Sequence, residues 1–235
     1  ASISRAPCDN FSRPGEDESE ECLYGDLNSD KTIILYGDSH AAQWFPSLEI
    51  IATKNGYKLI SLTKSACSSV ESPRDDQGAF RSSECDRWRK HSIQRINELQ
   101  PYAVIVSSFQ YYDPPKKFVN RDKWWRDGQR ILLANLQSSS RNLAYISDTP
   151  HPLSTIPSCL AARNPKNCDT SEKTPNLIID GFSTIDPTPW LCARECPAIQ
   201  DGYVVYRDAS HISVDAAIAL SGRLEVSLKE KGIIP

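Results

Sequence analysis

Two short groups of residues carry side chains that could act together in nucleophilic and acid–base chemistry. One is Gly37-Asp38-Ser39-His40, inside TIILYGDSHAAQWFPSLEI (32–50); the other is Asp208 to His211, inside YRDASHIS. A serine hydroxyl becomes a useful nucleophile only when a base takes its proton. Of the four histidines, His91 is expected mid-helix among Lys and Arg, facing solvent. His151, between Pro150 and Pro152, reads as a turn residue. His40 adjoins Ser39, and neighbours at i+1 point apart on a helix, so it is a poor base for Ser39 and a candidate lining residue of a pocket. His211 follows Asp208 by three residues. Within one turn that carboxylate can fix the imidazole tautomer and leave the other ring nitrogen for Ser39, the arrangement of a nucleophile, a base and an orienting acid. The competing reading is helix capping, by Ser39 in the first group and by Asp208 or Ser210 in the second. Capping and catalysis are compatible.

The elements around these groups decide whether they meet. Thr32–Gly37 is a short β-branched apolar run, the pattern of a buried strand. Ala41–Lys54 has helical periodicity, with Pro46 tolerable only in the first turn, and Asn55-Gly56 as its stop. Ser39 therefore stands at the carboxyl end of a strand, where ligands bind in parallel α/β sheets. The first-turn N–H groups could hold an oxyanion there, and Gly37 lets the chain turn sharply. Further strands are expected at 57–62, 102–107, 143–147, 182–185 and 203–207. Helices are expected at 86–99, 121–137 and 214–231. Residues 64–83, 110–120, 149–173 and 188–200 read as loops. Alternating strands and helices predict one α/β domain, residues 31–235, with a parallel sheet covered on both faces. Residues 1–30, polar and acidic, read as a disulfide-stapled lead-in outside the core.

Composition narrows the function. The net charge of −3 and 24% charged residues give no electrostatic grip on nucleic acid or anionic lipid. No apolar run is long enough to span a membrane, and residues 1–10 lack the apolar centre of a signal peptide. The absence of Met, including a start Met, is what an excised or processed chain would show. The eight cysteines fall in short-range pairs, 8–22, 67–85, 159–168 and 192–196. Spacing alone leaves connectivity open, but the pattern favours disulfides over a metal site, since no Cys-x2-Cys is present and the histidines lie elsewhere. Disulfides persist in oxidising compartments. No metal motif, dinucleotide fingerprint or phosphate loop is present, so no cofactor is expected.

Gly37-Asp38-Ser39 near the N-terminus, paired with Asp208-x-x-His211 near the C-terminus, resembles the SGNH (GDSL-type) hydrolase superfamily over residues 37–211. YGDSHAAQWFPSL, TKSAC, WLCARECPA and GYVVYRDASHIS narrow the resemblance. They are similar to the SGNH domain that follows the membrane-embedded acyltransferase family 3 domain in bacterial O-acetyltransferases. The resemblance implies a three-layer α/β/α, flavodoxin-like fold, with Ser39 as nucleophile, His211 as base and Asp208 as its orienter. The superfamily places an oxyanion-hole Gly after its second strand and an Asn after its third. This chain has Ser65-Ala66 and Gln110 in those regions, so Ser39, Ser65 and Gln110 are the expected donors. Losing one donor costs about 2.7–4 kcal/mol of transition-state stabilisation, which would slow hydrolysis by water and let transfer compete. His40, Tyr111 and Tyr112 are candidates for holding a sugar; Trp124 and Trp125 could stack on one as well, and read at least as readily as half-buried helix residues. The expected activity is serine-dependent O-acyl transfer, acetyl above all, to an envelope carbohydrate or glycolipid. The donor would come from a membrane-embedded acyltransferase domain absent from this chain, and the location would be the periplasm or the outer face of the cytoplasmic membrane. A carbohydrate acetylesterase, or a glycan-binding module without activity, are the alternatives.

Overall fold

The computed structural model of the chain describes residues 22–70, 78–114, 120–152, 154–162, 165–169 and 181–235. Alternation of side chains builds its central sheet. In β2 (Thr32–Gly37), Ile33 and Leu35 are buried on one face and Ile34 and Tyr36 on the other. In β4 (Ala103–Ser107), Ala103 and Ile105 join the first set and Val104 and Val106 the second. Strands that are apolar on both faces need cover on both, which crossover helices of a parallel sheet supply. Helices α2 (Phe45–Asn55) and α7 (Val214–Glu230) cover the first face, with Leu48, Ile51, Leu220 and Leu224 in that core. Helices α3 (Gly78–Leu99) and α4 (Arg121–Leu136) cover the second through Trp88, Ile96, Leu132 and Leu136.

Among the described residues the sheet has six strands in the order β1-β3-β2-β4-β5-β6, where β1 is Leu23–Gly25, β3 Lys58–Thr63, β5 Asn142–Ile146 and β6 Ser183–Ile185. Every pairing is parallel except β1 with β3. The five parallel strands, taken in chain order, lie 2-1-3-4-5, the flavodoxin-like order. Its ligand crevice opens where the winding reverses, between the first and third of them. Here that switch point lies between the carboxyl ends of β2 and β4, and Ser39 is two residues beyond the end of β2. The expected three-layer architecture is therefore present.

Several expected boundaries move. The lead-in contributes an edge strand, β1, to the sheet; residues 1–21 lie outside the described residues. The helix expected at 41–54 is two pieces, α1 (Ser39–Ala42) and α2, joined by a turn at Gln43–Trp44. The cause is Pro46, which has no N–H to bond backward and so becomes an opening residue of a new helix. α3 starts at Gly78, earlier than expected. The irregular stretch 149–173 contains α5 (Ile156–Ala162) and a 3-10 turn at Pro165–Cys168. Short elements α6 (Thr188–Leu191), β7 (Ile199–Gln200) and β8 (Tyr203–Val204) complete the described chain. His91 is half-buried on α3, not solvent-facing. Disulfides join Cys67–Cys85, Cys159–Cys168 and Cys192–Cys196. Cys22 is also disulfide-bonded, and Cys8 lies outside the described residues.

Candidate active site

Ser39 is the first residue of α1, and it does not cap that helix. Asp38 does, accepting the His40 N–H at 2.8 Å. The serine hydroxyl is thereby left for another partner, the Nε2 of His211 at 2.8 Å. His211 arrives from the far end of the chain. An isolated bridge between Tyr206 and Ile212 closes the 206–212 loop, and the Arg207 N–H donates to the His211 carbonyl at 3.0 Å. Gln43, in the turn between α1 and α2, accepts the Ile212 N–H at 2.9 Å, so the loop is fastened to the serine's own helix. Within the loop, Asp208 accepts the N–H groups of Ser210 and His211, both at 2.8 Å, and its Oδ2 lies 2.9 Å from His211 Nδ1. A carboxylate can only accept, so Nδ1 carries the proton and Nε2 faces Ser39 as an acceptor. The three side chains named from sequence thus meet as one chain of hydrogen bonds.

Burial pushes the His211 pKa down, the Asp208 hydrogen bond pulls it up, and the charge of His40 adds to the downward shift; the net shift is downward. Asp208 is held well below the usual carboxylate range: burial opposes this, and the His211 hydrogen bonds outweigh it. At neutral pH the imidazole is free to accept a proton, as a general base must be.

A pocket of about 390 Å³ opens over this triad. Its walls include Ser65 and Ala66 after β3, Phe109 and Tyr112 after β4, and Arg207 and Ser210 beside the histidine. Two fully buried carboxylates tie these segments together. Asp38 accepts the Ser108 hydroxyl at 2.7 Å, the Tyr112 hydroxyl at 2.8 Å and the Phe109 N–H at 3.0 Å. Asp148, just beyond β5, meets His40 Nδ1 at 2.6 Å and accepts the Gln110 and Thr149 N–H groups at 2.9 Å each. His151 Nε2 stands 3.1 Å from the other oxygen of Asp148, and its ring lies parallel to Phe109 at 5.2 Å. His151 is therefore more than a turn residue.

The residues expected to assist divide. Ser65 lines the pocket, but its neighbour Ala66 has φ +62°, so the backbone after the second parallel strand is not ordinary. Ala66 holds there the left-handed conformation that a Gly would adopt freely. Replacing Ala66 by Gly removes a strain of roughly 1–2 kcal/mol and loosens the unfolded chain by roughly 0.4–1 kcal/mol. Ala66→Gly is therefore expected to raise stability slightly, by about 1 kcal/mol or less, in urea denaturation. Gln110 does not reach the pocket. Its amide turns inward to the Tyr145 hydroxyl at 3.4 Å, because its backbone N–H is committed to Asp148. Tyr112 lines the pocket through its ring and spends its hydroxyl on Asp38. Tyr111 is exposed beside the site rather than among the lining residues. Its ring packs against His151 at 4.7 Å and under the Arg121 guanidinium at 5.1 Å. Trp124 and Trp125 are buried in a small core with Val70 and Tyr112, so neither offers a face to a sugar.

A flavodoxin-like sandwich with serine, histidine and aspartate gathered at its switch point is the architecture of an SGNH-type esterase or acyltransferase. Residues 7–225 match the family described as SGNH domain (fused to AT3 domains), and the chain belongs to that family. No curated protein matches the chain in sequence. A similar solved structure is the periplasmic domain of a lipopolysaccharide acetyltransferase from Salmonella ser. Paratyphi A. It is 16% identical, with a TM-score of 0.65, over 87% of this chain and 85% of that one; at this identity the likeness speaks for the fold. A protein assigned as an acylhydrolase from Bacteroides fragilis is 12% identical with a TM-score of 0.43, each chain covered to 96%. Family membership makes this domain an enzyme of acyl transfer or acyl-ester hydrolysis. The disulfides and the family's fusion partner fit an extracytoplasmic position. Among the described residues no helix is long and apolar enough to cross a membrane.

Proposed function

We propose that this domain moves an acyl group, acetyl above all, through an ester on Ser39 to a hydroxyl of a cell-envelope carbohydrate or glycolipid. The observation that carries this reading is the unbroken chain Asp208–His211–Ser39, with contacts of 2.9 and 2.8 Å, at the floor of an open pocket. Support for transfer over hydrolysis comes from the family's fusion to AT3 domains, which implies a membrane partner that delivers the acyl group. The acetyltransferase activity of the Salmonella protein is of the same kind.

In this reaction the Ser39 Oγ attacks the acyl carbonyl while its proton passes to His211 Nε2. The carbonyl oxygen takes the negative charge. Collapse of the tetrahedral intermediate expels the donor's oxygen, which takes the proton from His211, and leaves acyl-Ser39. An acceptor hydroxyl then gives its proton to His211, attacks the ester, and releases the serine as the proton returns to Oγ.

Asp208 holds the Nδ1–H tautomer throughout. Asp208→Asn offers an amide that can present its N–H₂ to Nδ1 and so favour the wrong tautomer. It is expected to lower kcat by about 10⁴-fold, with KM for an acetyl ester nearly unchanged. Fluorophosphonate labelling tests the function as a whole. Label on Ser39 in the wild type, lost in Ser39→Ala, together with 4-nitrophenyl acetate turnover accelerated by envelope glycan, supports transfer. Turnover indifferent to glycan supports hydrolysis, and absence of label supports a binding module.

A further inference from the structure

Two hydrogen-bond donors at the pocket are open. The Ser39 N–H makes no hydrogen bond among the described residues. His40 spends its N–H on Asp38 and its Nδ1 on Asp148. No other hydrogen bond reaches it, so its Nε2 has no partner among the described residues. The side chain is 3% exposed and lines the pocket. It is a buried polar group in the wall of the pocket that also holds Ser39, and its ring centre lies 4.3 Å from that of His211. The 2.6 Å between His40 Nδ1 and Asp148 Oδ1 is a short hydrogen bond of the charge-assisted kind.

We propose that Asp148 holds His40 as an imidazolium whose Nε2–H, together with the Ser39 N–H, binds the oxygen that turns negative when Ser39 attacks an acyl carbonyl. The proposal rests on the acyl-transfer reading above. During attack the carbonyl π pair moves onto oxygen and the Ser39 proton moves to His211. His40 keeps its proton and lends it only as a hydrogen bond. A charged donor of this kind is roughly twice as strong as a neutral amide. It would serve in the place of the side-chain donor that Gln110, turned inward, does not supply.

The surroundings favour the charge. His40 is faced by the carboxylates of Asp148, Asp38 and Asp208 and by the imidazoles of His151 and His211, and Arg207 lines the same pocket. Burial alone would strip its proton; the Asp148 charge and hydrogen bond, with help from the other two carboxylates, raise its pKa instead. His211 is shifted the opposite way. Two imidazoles in contact are thus poised for opposite duties, one neutral base and one charged donor, across a window around neutrality.

The test is the pH profile of kcat/KM for 4-nitrophenyl acetate in wild type and His40→Gln. The wild type should show a bell, with an acid limb from His211 and an alkaline limb from His40. His40→Gln should lower kcat by about 10²–10³-fold, leave KM within about threefold, and lose the alkaline limb. An unchanged alkaline limb with kcat within about threefold overturns the inference. Should the variant not fold, ¹⁵N-histidine NMR of the wild-type domain decides. His40 should have both ring nitrogens protonated at neutral pH, and an unprotonated Nε2 there overturns the proposal. A wild type without Ser39 labelling or turnover defeats the acyl-transfer reading itself. Ser39-dependent turnover that is indifferent to His40→Gln defeats only this inference.

Discussion

Ser39→Ala will lower acyl turnover by about 10⁶-fold while leaving the domain folded. The size follows from the logic of a unit that works together: without the nucleophile, base and orienter have nothing to activate. Only the electrostatic and binding contributions of the pocket remain. The fold should survive because, among the described residues, the Ser39 hydroxyl makes a single hydrogen bond, to His211 Nε2, and α1 is capped by Asp38. His211→Ala should cost about as much, and the double variant little more, since the losses within such a unit do not add. Steady-state kinetics with an acetyl ester, beside thermal melts that match the wild type, check this. Independent, additive losses would mean that Ser39 and His211 do not act on one proton.

Gly37→Ala is expected to be the most damaging small change to the fold. Gly37 has φ +146°, a conformation that side-chain-bearing residues rarely adopt. A Cβ there would lie 1.9 Å from the Ser107 carbonyl oxygen and 2.9 Å from the Ala41 Cβ. The strand cannot step aside. Gly37 is paired with Thr63 on one side and Ser107 on the other, and its carbonyl accepts the Lys64 N–H at 3.0 Å. Overlap with backbone on a central strand, added to a strained φ, should exceed the roughly 4–5 kcal/mol that marks an exceptional substitution. Urea denaturation measures the loss. A variant within about 1 kcal/mol of wild type would mean that β2 ends differently from the geometry described.

The meeting of Ser39, His211 and Asp208 was legible because each follows a feature that sequence displays. Ser39 comes after an apolar β-branched run, and Asp208 and His211 share one turn before a helix. The sheet was legible for the same reason, since runs apolar at every position mark strands covered on both faces. Asp38 and Asp148 were not read as organisers of the site, although both sit just past an apolar strand, a position where a carboxylate is out of place unless it has partners. Their partners are the hydroxyls and N–H groups of Ser108, Phe109, Gln110 and Tyr112. These come near only once β2, β4 and β5 lie side by side, and no local spacing encodes that. Gln110 misled for a related reason. Its place after β4 is the right one, but the direction of its side chain depends on Asp148 taking its backbone. Trp124 and Trp125 read equally as sugar platform and core from sequence; packing against Val70 and Tyr112 decides for core. The break between α1 and α2 was half-visible in Pro46, which correctly marks a first turn, but of a second helix.

The most direct measurement is peptide mass spectrometry of the domain quenched in acid during turnover of 4-nitrophenyl acetate. One acetyl group is expected on the peptide that contains Ser39. It should appear in a burst before steady state, be discharged faster when an envelope glycan is added, and be absent from Ser39→Ala. Turnover that continues with Ser39 unmodified, or an acetyl group carried on another residue, would contradict it.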